Sequence, residues 1–592
     1  MALNIFSQFN GSHASLNFFN PREAIDRLTF SFMWRDGARS GLDAAERGSR
    51  RGEPDRMTSD PTAGSGFGPR FRGGVVRALE IIAIVAGGAG LVASLFVHLR
   101  FIAYPAPQEI TESATLYATF QLSMGQNPWT VESFPASTQF FGPFYNYVVL
   151  AFKPLFGIGY GAHRFVNLFC LGAIFSYLGS HLRRLGASLG VVLCCLSTLY
   201  WLVMDNIMIT ARPDILGWGL FLVALLHPFS RGYRVGPSLI GLFFALLAFQ
   251  CKAYFIAAGG ATLLGLALLH SWPLAIILGV GFGSAVVLSV WVTTYFFPLY
   301  YVQSFVMSAS MVRGNASNEM MMTHDRLFIA RAWPFLLLLL MALYLRWRDA
   351  TAGDGHRSVA WLRLIIWKKF VPRSPNQVLG LVFIIWLPMV LIYMARNGGA
   401  WFTYHTHLLF PLIFLMVALA VRDVRLRSVS QLGLAVFAVA GLQLRWTPDD
   451  TTPHHRVARV IADEREEVYA GTSYVDALLG QGRPVYETGF TVFHGFVMPE
   501  EKTPANSVRH ALFARSTELR RQLTAKVERQ EFGLVVTEDE TSFGVDLEVI
   551  RRNYKIVERF QHPTYFGHGE VLFWRRRQLE PAVNDASVRA GP

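Results

Sequence analysis

At 592 residues, 52% of them apolar and only 16% charged, the chain is too apolar for an ordinary soluble protein. Its formal charge of +13 lies in clusters between long apolar runs, which suits an anionic lipid surface and argues against a nucleic-acid partner. All four cysteines (Cys170, Cys194, Cys195 and Cys251) fall inside those runs, leaving neither a disulfide framework nor a thiolate metal cluster.

Residues 1–75 are rich in Gly, Ser, Arg and Asp without a sustained apolar period, so a disordered cytoplasmic arm is expected. The first long uncharged run, 81–99, is long enough to span, and no cleavable leader is expected before it. Further runs follow at 165–182, 185–204, 215–230, 235–251 and 253–312, the last punctuated at Ser271-Trp272-Pro273 into two spans and a loop. Runs at 327–345, 377–395, 403–421 and 428–444 bring the expectation to about eleven spans across 76–446. Lys and Arg alternate between the connecting loops so that the N-terminus is expected inside and the C-terminal tail outside a plasma or inner membrane.

The loop after the first span is large, about 104–164. Leu116, Phe120 and Met124 recur at helical spacing beside a polar stripe of Thr115, Thr119 and Ser123, which predicts an interfacial helix. A second apolar piece, 144–156, is bounded by Gly142-Pro143 and broken at Lys153-Pro154, too short to span. After the last run the composition changes. Residues 447–592 read as a small extracytoplasmic α/β domain, with strands expected at 467–470, 484–486, 533–537, 554–560 and 570–574 and helices at 454–464 and 507–529.

Several ionisable groups sit at the outer ends of the spans. Glu109 and Glu112 read either as a general base at the interface or as solvated acids in a helix first turn behind Thr111. Arg212-Pro213-Asp214 opens a span, as a structural ion pair or as a substrate-orienting carboxylate. Lys252 stands between two spans joined almost without a loop, to meet an anion such as a phosphate or to snorkel to the headgroups. Arg396 and the run 401–407 end another outer loop, where His405 and His407 read as metal ligands or as part of an aromatic belt, and Arg396, Tyr404 and His407 are candidate substrate-binding residues.

The order of these features resembles the C-type glycosyltransferases (GT-C), polytopic enzymes that use polyprenyl-phosphate sugars. The similar branches are the lipid A aminoarabinose, protein O-mannosyl and lipopolysaccharide-core galacturonosyl transferases. The matching positions are Glu112, Ala118, Gly125, Gly142-Pro143-Phe144-Tyr145-Asn146-Tyr147, Leu155-Phe156-Gly157, His163-Arg164-Phe165, Asp214 and Lys252, across about 78–425. Many relatives carry Asp-Glu at the acidic motif, where this chain has Thr111-Glu112, so Glu112 acts alone or Glu109 replaces the missing acid. The resemblance implies an α-helical polytopic membrane fold and transfer from a polyprenyl-phosphate sugar to an envelope lipid, glycan or protein acceptor. Glu112 would be the base, Asp214 would orient the substrate, and Lys252 with Arg212 or Arg396 would hold the leaving phosphate. The family resemblance implies no metal. The rival functions are a lipid or polysaccharide transporter or flippase, which calls for polar residues in broken mid-membrane helices, and a non-catalytic envelope-assembly scaffold.

Overall fold

The computed structural model describes residues 69–307, 374–386 and 452–577 apart from short gaps, of which 489–507 is the largest. Glu109, Arg396, Tyr404, His405 and His407, the N-terminal arm before residue 69, and the runs at 327–345, 403–421 and 428–444 lie outside the described residues.

The first six apolar runs form seven helices, the run 253–312 supplying two of them. They are α1 (Pro69–Ile102), α5 (Tyr160–Arg184), α6 (Leu189–Asp205), α7 (Asp214–Ser230), α8 (Val235–Cys251), α9 (Ala257–Leu269) and α10 (Trp272–Phe296). Among the described residues α1, α5 and α10 are long and apolar enough to cross a membrane, and four shorter apolar helices pack with them. The outward side chains of α10, such as Ile277 at 66% and Val287 at 67% exposure, are apolar, which suits lipid rather than water.

The core between the helices is built by Leu171 and Ile174 of α5, Val191 and Leu199 of α6, Trp218 and Phe221 of α7, and Ala245 and Ala248 of α8. α1 lies along α6, and α7 along α8. Gly87 permits the first of these contacts, because a Cβ there would stand 2.5 Å from the backbone nitrogen of Cys194. Glu80 caps the start of α6, accepting from the Ser188 hydroxyl at 2.6 Å and the Gly190 N–H at 2.8 Å.

Within the first loop, α2 (Ile110–Ser123), α3 (Phe144–Ala151) and the single turn α4 (Lys153–Phe156) occupy the two expected interfacial stretches. The polar stripe of α2 faces inward, which differs from a helix lying half in water. Thr115 and Thr119 are buried, and the Thr119 hydroxyl meets Asn146 of α3 and His163 of α5 at 2.9 Å each. A threonine hydroxyl that finds protein partners no longer needs the water that the periodicity implied.

The C-terminal part forms a four-stranded sheet in the order β1-β2-β4-β3, from β1 (Val468–Ala470), β2 (Leu534–Glu538), β3 (Tyr554–Thr564) and β4 (Gly567–Arg576). β1 runs parallel to β2, and the other pairs are antiparallel. Alternate residues divide the faces. Tyr469, Val535, Leu572 and Trp574 meet α13 (Val508–Glu528) and α14 (Leu547–Asn553). Val468, Ala470, Leu534, Val536, Val571 and Phe573 meet α11 (Thr452–Asp463) and α12 (Val475–Gly480), and the same cluster takes in Leu116 of α2 and Tyr160 of α5. The C-terminal sheet therefore packs against α2 of the first loop and the start of α5. Residues 484–486, expected as a strand, join no ladder. Pro484 lacks an N–H for one, and the segment is held instead by the Arg483 guanidinium on the Glu466 carbonyl and by the Tyr486 hydroxyl on Glu467.

Candidate functional site

Glu112 lies in the first turn of α2, where a carboxylate meets the positive end of the helix. It is fully buried and joined to Arg164 of α5, whose Nε donates to Oε1 at 3.1 Å and whose Nη2 donates to Oε2 at 2.9 Å. The remaining Arg164 N–H groups reach the carbonyls of Phe101 and Tyr104 at 3.2 and 2.6 Å and of Ala106 at 2.7 Å. All five guanidinium donors are thus engaged. Arg164 ties the end of α1 to the start of α2.

Glu112 also accepts from the backbone N–H of Ala211. That contact draws in the loop before α7, which Asn167 of α5 holds from the other side through the Thr210 and Arg212 carbonyls at 2.5 and 3.0 Å. The loop presents Arg212 and Asp214. Pro213 precedes α7, and Asp214 is its first residue. The Asp214 carboxylate lies between two cations, with Lys252 Nζ donating to Oδ1 at 2.6 Å and Arg212 Nε 3.1 Å from Oδ2. Lys252 reaches it because the chain is extended there between α8 and the 3-10 turn Ala253–Ile256.

Phe141 covers this group, with Lys252 Nζ 4.7 Å and Arg212 Cζ 5.3 Å from its ring centre. The position of Phe141 depends on Gly142, where a Cβ would come 2.5 Å from the Gln250 carbonyl oxygen at the end of α8. The side chains of Arg212, Asp214 and Lys252 are 3%, 1% and 10% exposed, so the lysine is the most open of the three. Two cations on one carboxylate beside an aromatic face can bind a phosphate, at Lys252 as a point charge and at Arg212 as a planar donor.

The structure joins four of the sequence-derived candidates, Glu112, Arg212, Asp214 and Lys252, through loop 210–214. It also adds two residues. Arg164 was visible in the sequence only as the arginine opening a span, and nothing there marked it as the partner of Glu112. Asp476 of α12 lies beside Gly159 at the start of α5, its Oδ1 3.5 Å from where a Cβ on that glycine would stand. Burial raises its carboxyl above the usual range, with Arg164 drawing it partly back. Among the described residues no group of three or more His, Cys, Asp or Glu is arranged to hold a metal.

No family model matches the chain, and no curated protein matches it. Its fold is similar to the crystal structure of ArnT from Cupriavidus metallidurans bound to undecaprenyl phosphate, with 12% identity and a TM-score of 0.50 over 83% of this chain and 97% of that one. The apo-state crystal structure of the same ArnT is also similar, at 12% identity and a TM-score of 0.48 over 82% of this chain and 97% of that one. The chain thus has an ArnT-like membrane fold with a small C-terminal sheet, the fold class expected from its motif order.

Proposed function

We propose that this chain is an integral-membrane glycosyltransferase that moves a sugar from a polyprenyl-phosphate donor to a cell-envelope acceptor. The observation that carries the proposal is the Arg212–Asp214–Lys252 group under Phe141. It sits on a fold shared with an ArnT that was crystallised with undecaprenyl phosphate. In the proposed reaction an acceptor hydroxyl oxygen bonds to the anomeric carbon from the face opposite the phosphate. The carbon–oxygen bond to the phosphate breaks, and its electron pair leaves with the polyprenyl phosphate. Lys252 and Arg212 stabilise that developing charge through charge-assisted hydrogen bonds, and Asp214 sets their positions.

The acceptor's proton goes to a carboxylate, which the family resemblance assigns to Glu112. In the described state both Glu112 oxygens are taken by Arg164 and Ala211. Glu112 therefore serves as base only in a state where the Arg164 pair has opened, and otherwise holds loop 210–214 in place. A transporter would call for ionisable residues in mid-membrane broken helices. The joined residues here stand instead at helix ends, on the side of the C-terminal sheet.

The test is binding of undecaprenyl phosphate to the purified protein in detergent, read as a rise in melting temperature. The wild type should be stabilised by the lipid. Lys252→Ala should need about tenfold to a hundredfold more lipid for the same shift, the loss expected for one charged hydrogen bond. An unchanged dose response in Lys252→Ala would remove the phosphate site from this group.

A further inference from the structure

Three carboxylates lie around the junction of α2, α5 and the C-terminal sheet, and two of them are occupied. Glu112 is held by Arg164 and Ala211, and Asp214 by Lys252 and Arg212. Asp476, half-buried in α12, has no hydrogen bond or ion pair among the described residues. The cation acting on it is Arg164, whose five N–H groups are already engaged elsewhere.

The neighbours of Asp476 place it at a seam between two parts of the chain. Val475 and Leu478, on either side of it, are buried in one cluster with Leu116 and Tyr160. Beside the carboxylate, Gly159 offers no side chain, and its extended backbone (φ −179°) could carry any residue without strain. The Tyr160 hydroxyl meets the Ser113 hydroxyl at 2.8 Å, so the polar atoms facing Asp476 across the seam already have partners of their own. Keeping an acid here without an internal donor is unfavourable unless water or a ligand supplies one.

We propose that Asp476 is an acceptor-binding residue, and that its carboxylate takes the hydrogen bond of a hydroxyl group on the acceptor in the space beside Gly159. This rests on the transferase reading and extends it by giving the C-terminal domain part of the substrate site. The acceptor then enters along the seam between α12 and the start of α5. The charged and titratable groups that face Asp476 are Arg164 and Tyr160 of α5, with Glu112 of α2 behind them. A carboxyl held above the usual range by burial should lose its charge, and with it part of its acceptor strength, at a higher pH than an ordinary aspartate as the pH falls.

The experiment uses the full chain in detergent, with a total envelope-lipid extract from cells lacking the gene as acceptor and product read by mass spectrometry. Asp476→Ala and Asp476→Asn should raise the half-saturating extract concentration about tenfold to a hundredfold. Their turnover at saturation and the thermal shift given by undecaprenyl phosphate should stay at wild-type values. Gly159→Val, which leaves the carboxylate in place but fills the space beside it, should raise half-saturation in the same way. The wild type should show a loss of acceptor affinity on the acid side that Asp476→Asn lacks. Asp476→Asn should also melt no lower than the wild type at neutral pH, since it removes a half-buried charge. Half-saturation unchanged in both Asp476 variants, or a fall in turnover with half-saturation unchanged, would overturn the proposal. A wild-type protein that neither transfers nor responds to undecaprenyl phosphate would instead overturn the transferase reading on which it rests.

Discussion

Arg164 engages all five of its N–H groups, and both it and Glu112 are fully buried. Removing either side chain therefore leaves a charge buried without its partner. Glu112→Ala and Arg164→Ala should each cost about 3–5 kcal/mol of stability. The double variant should cost less than the sum of the two, a coupling that thermal melting in detergent can measure. Single variants that melt like the wild type would show that the pair contributes nothing. The same reasoning sets a condition on Glu112→Gln, since lost transfer identifies a base only in protein that keeps its melting temperature. The sequence could mark Glu112, Asp214 and Lys252, because helix-end acids and a lone lysine between spans stand out against apolar surroundings. It could not mark their partners, because the Glu112–Arg164 contact joins residues on separate helices. Asp476 was hidden for another reason: in Val475-Asp476-Ala477-Leu478 it reads as an ordinary first-turn acid of a short helix.

At the level of elements, the apolar runs gave the described helices closely, since spanning length and uncharged composition leave few alternatives. Helix α8 was placed to the residue, and the break at Lys153-Pro154 separates α3 from α4 as the proline requires. Orientation about a helix axis was harder to read, as the buried threonines of α2 show. A polar stripe signals a need for hydrogen bonds without saying whether water or another helix meets it. The contact between Gly142 and the end of α8 is a second feature that only packing reveals. Gly142→Ala should push residues 141–143 away from α8 at a cost of about 1–3 kcal/mol. Phe141 would move off Lys252 and Arg212, and a higher lipid concentration should be needed for the undecaprenyl phosphate shift. A variant with wild-type melting and lipid response would show that the site does not depend on this close approach.

For the molecule as a whole, one face of the C-terminal sheet is covered by its own helices α13 and α14, and the other includes side chains of α2 and α5. Leu116 is the α2 residue in that shared cluster, and it is fully buried. Leu116→Asp should lower the melting temperature and speed proteolytic release of the C-terminal part, followed by gel electrophoresis of the digested protein. A digestion rate equal to the wild type would mean that this seat does not hold the domain. The shared cluster also orders events during synthesis. Everything needed for the Glu112–Arg164 pair has left the ribosome once α5 is made, whereas the cover over Leu116 is encoded more than half the chain later. For that interval Leu116 has only Tyr160 and Ala211 of its cluster's buried residues for cover, and the rest is left to lipid or a chaperone. A chain halted before residue 452 should therefore be recognised by the quality-control machinery of the membrane even though helices α1–α10 are already made.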